Sequence, residues 1–145
     1  MKTCLFLILA SVSLSLASEK KIQMKDLPAA VQQAVRQESA GATIRGFATE
    51  VENGKTTYEA EMTVNGHAKD VTFDAMGKVV SVEEEVAIDR IPTAAHATIQ
   101  KAVGNGKLLK VESVTENGKS FYEASFRKDG KSSEVQVDAS GAKVK

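Results

Sequence analysis

Cysteine, proline, histidine and large aromatic side chains are all scarce in this chain, and its net charge is nil. Of 145 residues one is cysteine, two are proline, two are histidine and none is tryptophan. Two tyrosines and five phenylalanines leave little material for a large aromatic pocket. Nineteen basic and nineteen acidic side chains cancel, which argues against an ordinary nucleic-acid binder with its basic excess. The apolar run near the start falls short of the roughly 20 residues that a spanning helix needs. A hydrophobic content of 42% rules out wholesale disorder, and the length suits one compact unit rather than a multidomain enzyme.

What is present begins with an address. Lys2 precedes the apolar and small-residue run Leu5 to Leu16, which ends in Ser15-Leu16-Ala17. One positive charge, a short apolar stretch and small residues at −3 and −1 read as a secretory signal peptide over residues 1–17, cleaved after Ala17. Cys4 lies ahead of the run, so it is not placed for lipidation, and cleavage removes the single thiol. The exported chain then has no disulfide, cysteine nucleophile or cysteine metal site. Residues 18–25, with Lys20, Lys21 and Lys25, read as a polar leader before the fold.

The rest repeats itself. Shifted by 64 positions, residues 26–81 lie over 90–145 without a gap, and fifteen of the 56 pairs are identical. Glu52-Asn53-Gly54-Lys55 meets Glu116-Asn117-Gly118-Lys119, Tyr58-Glu59-Ala60 meets Tyr122-Glu123-Ala124, and the Asp-Ala-x-Gly at 74–77 meets the one at 138–141. Identities that cluster at turns mark a repeated structural unit. The two prolines, Pro28 and Pro92, fall at equivalent places, as expected of helix starts. Leu27, Val31, Ala34 and Val35 then follow helical spacing, as do Ile91, Ala95, Thr98, Ile99 and Val103.

Four short strands are expected after each helix. Asn53-Gly54 and Asn117-Gly118 are strong hairpin signals, because both turn residues must take positive φ. Tyr58, Ala60, Met62 and Val64 alternate with Thr57, Glu59, Glu61 and Thr63, the pattern of an antiparallel strand covered on one face. Phe47 with Val51, and Val71 with Phe73, extend the inner face. The expected fold class is α+β: two tandem helix-plus-four-stranded antiparallel meander repeats, over 26–88 and 89–145. Helices cover one face of the sheets and leave the other open.

With the Leu-Pro or Ile-Pro helix start, the Tyr-Glu-Ala strand and the Asp-Ala-x-Gly turn followed in the first copy by Lys-Val-Val, the chain resembles PepSY-like domains. These are small modules of exported bacterial proteins, related in fold to the β-lactamase inhibitor protein. The resemblance spans residues 24–145 in two copies, and departs from the pattern at Ala142-Lys143. It implies a non-catalytic protein outside the cytoplasm, periplasmic or extracellular, that binds or restrains another protein such as a peptidase. The inhibitor grips its enzyme with the open face of a long sheet.

A catalytic set does not emerge from the sequence. His67 and His96 are not repeat-equivalent, and no H-E-x-x-H helix or Gly-x-Ser-x-Gly elbow is present. Asp74 and Asp138 recur, but each precedes a turn where an Asp carboxylate bonds backbone two residues on. Neither copy has calcium-loop spacing, and nothing supports a haem, nucleotide or flavin cofactor. Alternation instead places Glu50, Glu59, Glu61, Glu112, Val114, Phe121, Glu123 and Arg127 on the open face as candidate partner contacts. Asp70, Glu83, Glu134 and Gln136 share that face.

Neutrality proves to be a cancellation. Residues 26–88 hold 5 basic and 11 acidic side chains, and residues 90–145 hold 10 basic and 6 acidic. An acidic half beside a basic half can steer a partner of mixed charge. The expected partner is a protein, with no nucleic acid and no membrane insertion after cleavage. A structural or ion-buffering envelope protein and a small hydrolase using Asp74, Asp138 or His96 are the alternative readings.

Overall fold

In a computed structural model, which describes residues 19–144, all eight strands form one antiparallel sheet in sequence order, β1 to β8. The elements are β1 (Lys20–Ile22), α1 (Ala29–Glu38), β2 (Thr43–Glu52), β3 (Lys55–Val64), β4 (His67–Phe73) and β5 (Val79–Glu85). They continue with α2 (Thr93–Val103), β6 (Lys107–Glu116), β7 (Lys119–Lys128) and β8 (Lys131–Val137). The expected signal peptide, residues 1–17, lies outside the described residues.

Turn chemistry explains why neighbouring strands pair. Asn53, Asn65, Asn117 and Asp129 all sit at positive φ, each followed by a positive-φ glycine. Such turns twist with the strands they join, so the chain folds back in register. The bulge between Ile44 and Gly46 in β2 recurs between Leu108 and Lys110 in β6, at positions 64 apart.

Both helices lie on one side of the sheet, each over its own core. Leu27, Val31 and Val35 pack with Phe47, Ala60, Met62, Val71 and Phe73. Ile91, Ala95, Ile99 and Val103 pack with Val111, Ala124, Phe126, Val135 and Val137. Val51, expected on the same inner face, is instead 53% exposed, because it pairs with Thr56 beside the Asn53-Gly54 tip. Pro28 and Pro92 stand one residue ahead of their helices, and their carbonyls accept from Gln32 N and His96 N.

Each helix is clamped to its sheet by the Asp-Ala-x-Gly turn. The Asp74 carboxylate accepts from Met76 N and Lys78 N, and Asp138 accepts from Ser140 N and Ala142 N. Gly77 and Gly141 take φ of 79° and 82°. A side chain there would come within 2.6 Å of the carbonyl oxygens of Ala30 and Ala94. These carboxylates therefore build turns.

One expectation needs adjusting at the margin. The polar leader does not precede the fold, since Lys20–Ile22 pairs with Thr49, Ala48 and Phe47 as β1. Three residues, two of them lysine, are too few for alternation to announce a strand. In the second copy, whose departure from the pattern at Ala142-Lys143 pointed to a short last strand, the fourth strand is a single bridge among the described residues, Val137 to Lys143, where copy one has β5.

Candidate functional site

The sheet face away from the helices carries rows of side chains fixed by strand register. Glu61 on β3 stands opposite Asp70 on β4, which stands opposite Glu83 on β5. The same row continues through Val114 on β6 to Phe121 on β7. One row along run Ala48, Glu59, Thr72 and Ser81. On the other side run Glu85, Glu112, Glu123 and Gln136. Six carboxylates, Glu59, Glu61, Asp70, Glu83, Glu112 and Glu123, thus share the middle of one face.

Four of the six have partners. Lys21 bonds Glu61 and, at 2.8 Å, Glu19. Arg45 Nη2 reaches Asp70 Oδ1 at 3.0 Å, while its Nε donates to the Met62 carbonyl. Lys110 Nζ lies 2.7 Å from Glu112 Oε1, and Gln136 Nε2 donates to Glu123 Oε2 at 2.6 Å. Glu59 and Glu83 have no hydrogen bond or ion pair among the described residues. Both line a groove of about 300 Å³ on this face, together with Glu50, Thr57, Thr72 and Ser81.

This arrangement holds protons. Burial, then the charge of Asp70, pushes the Glu59 carboxyl up to about 7. Burial, then the charges of Glu112 and Glu123, pushes Glu83 up to about 7. Asp70 is also raised by burial, against the pull of Arg45. Burial works to lower Lys110, but its bond to Glu112 together with the charges of Glu112, Glu83 and Asp70 outweighs this and raises it. Carboxylates directly opposed across strands repel, and partial withdrawal from water makes that repulsion stronger.

The candidate contacts divide by exposure. Glu50, Glu59, Glu61 and Glu123 are half-buried on the face and reachable, and Arg127 is exposed near its far end. Glu112, Val114 and Phe121 are 3%, 5% and 8% exposed, so they are not displayed as alternation alone suggested. None of the three belongs to the cores beneath the helices. Arg45 and Lys110 were missed as members of the site. Lys110 has the right parity beside Val111, but Arg45 reaches Asp70 from the β2 bulge, which strict alternation cannot anticipate.

No catalytic constellation assembles among the described residues. His67 is exposed, and His96 is half-buried beside Gln100 and Leu108 in a separate cleft. No group of three or more His, Cys, Asp or Glu side chains is placed to hold a metal among the described residues. No helix among them is long and apolar enough to cross a membrane.

Residues 87–144 match the PepSY family, described as peptidase propeptide and YPEB domain. No curated protein matches the chain in sequence. Among solved structures it is similar to a protein of Bacteroides eggerthii named as periplasmic, at 18% identity and a TM-score of 0.68. That likeness covers 82% of this chain and 86% of the other. A DUF2874 family protein of Bacteroides ovatus gives 20% identity and a TM-score of 0.65, over 82% and 85%. A BLIP-like protein of Bacteroides fragilis gives 21% and 0.61, over 80% and 82%. The second half is therefore PepSY-like in sequence, and the fold as a whole is shared with these BLIP-like and DUF2874 structures.

Proposed function

We propose that the protein is an exported, non-catalytic binding module that holds a partner protein against its open sheet face. The reading goes further: the partner is a secreted or envelope enzyme, such as a peptidase, which the module restrains. One observation carries it. A continuous eight-stranded sheet is covered by helices on one side only, and its other side holds a groove with two unpartnered, half-buried carboxylates, Glu59 and Glu83. A soluble sheet needs charge on its wet face, but solubility does not require carboxyl groups pushed out of water beside one another. A surface that stores unfavourable like-charge contact gains most when a complementary surface covers it.

The similarities support the same reading. The PepSY description names peptidase propeptides, and the B. fragilis relative is BLIP-like in fold. Contacts proposed for the partner are Glu50, Glu59, Glu61, Glu123 and Arg127, with Glu112, Val114 and Phe121 as the floor beneath them. The test is capture of proteins from envelope extract by the processed chain and by a Glu59→Lys/Glu61→Lys variant. A partner that copurifies with the first and is lost from the second, while the second still unfolds in one cooperative transition, is the expected result. Equal capture by both sinks the open-face reading.

A further inference from the structure

We infer that the chain assembles head to tail with a second copy of itself, β1 of one copy adding to the free edge of β8 in the next. The central strand β5 is used twice. Its residues Val79 to Glu84 pair with β4, and its residues Ser81 to Glu85 pair with β6, so one strand closes the first repeat and opens the second. The 64-residue shift finds both jobs again at the two ends of the sheet. The Val137–Lys143 bridge repeats Phe73 against Val79. Lys20 against Thr49 and Lys21 against Ala48 repeat Glu84 against Ser113 and Glu85 against Glu112. Ile22 against Phe47 repeats Val86, whose amide donates to Val111.

A strand that is whole in the middle of the molecule is thus divided between its two ends. Lys69 to Thr72 on β4 are covered by Ser81 to Glu84. Their counterparts Ser133 to Gln136 on β8 have, on the side away from β7 and among the described residues, only the bond from Val144 N to Gln136 O. Placing a second copy in the internal register sets its Lys20 opposite Ser133, its Glu19 opposite Glu134 and its Lys21 opposite Ser132. Lys143 and Val144 of the first copy then run towards Glu19 of the second along the same edge. The fit requires cleavage after Ala17, which clears the apolar leader from the junction. Glu19 against Glu134 repeats the internal opposition of Glu83 and Asp70, with Lys21 diagonal to it as a counter-charge. Lysines at both edges blunt strand addition, so association is expected at high protein concentration. The contact is heterologous, and it extends the sheet into a rod unless rotation closes a ring.

Two measurements on the exported, processed protein test this. Sedimentation over a concentration series should show mass rising beyond one chain. Glu134→Pro should abolish the rise at unchanged melting temperature. The Val144–Gln136 bond shows that residues of this parity point their backbone groups away from β7, and proline there removes only an outward donor. The processed chain has no cysteine, so mixing Lys20→Cys with Ser133→Cys should yield a disulfide-linked pair well in excess of either self-pair. Sedimentation as a single chain throughout overturns the proposal. So does cross-linking no better than that of Lys20→Cys mixed with the misplaced His67→Cys. An extended foreign peptide that occupies β8 while the chain stays monomeric also overturns it.

Discussion

Replacing Glu83 with glutamine should stabilise the protein at pH 8 and leave it almost unchanged at pH 4. In the unfolded chain this carboxyl titrates near 4.5, and in the fold at about 7. Below 4.5 both states are protonated and the group is neutral to stability. Between the two values the folded state binds the extra proton, so stability falls as pH rises through that window. Above 7 the fold carries a charge it disfavours. At about 1.36 kcal/mol per pH unit the full displacement corresponds to at most about 3 kcal/mol. The side chain is only half-buried, and solvent screening reduces this to on the order of 1 kcal/mol. Glutamine keeps the shape and removes the charge. The assay is urea unfolding of both proteins at pH 4, 6 and 8, which should show the variant gaining about 1 kcal/mol, or about 4 °C in melting temperature, at pH 8, roughly half of that at pH 6 and almost nothing at pH 4. A gain that is the same at pH 4 and pH 8, or a loss at pH 8, would refute the reasoning. Glu59→Gln should behave likewise for the same cause. The double variant should gain less than the sum, because each carboxylate raises the other's cost.

Other expectations follow from the packing. Gly77→Ala should cost about 2–4 kcal/mol by thermal unfolding, since it adds positive-φ strain to a methyl driven onto the Ala30 carbonyl. Gly141→Ala should do the same against Ala94. Phe73, fully buried under α1, should cost about 3–5 kcal/mol when truncated to alanine, read by the urea midpoint. Lys110→Ala strands the Glu112 carboxylate, which is 3% exposed. It should lose about 1–3 kcal/mol at pH 7, read by the urea midpoint.

Much of the fold was legible because it is written twice. Asn-Gly and Asp-Gly between two alternating segments favour positive φ at both turn residues, and Tyr58-Glu59-Ala60 with Tyr122-Glu123-Ala124 set the parity of the strands between them. Helix faces at Val31 and Val35, and at Ala95 and Ile99, follow from spacing alone. The site was only half legible. Parity placed Glu59 and Glu61 on the open face, but it could not say that Phe121 and Glu112 sink into that face. Exposure depends on side chains brought alongside from adjacent strands, and no local pattern records those.

The sequence by itself determined the repeat, the order of elements, the hairpin turns and which side of each strand is apolar, because these depend on residues within a few positions of one another. Tertiary structure alone decided that the two repeats share one sheet through β5, and that Lys20–Ile22 joins it as a strand. It alone also brought Glu61, Asp70 and Glu83 into line from three strands. Such contacts depend on register between distant segments, and the proton-holding character of the face exists only where that register crowds the carboxylates and shields them from water.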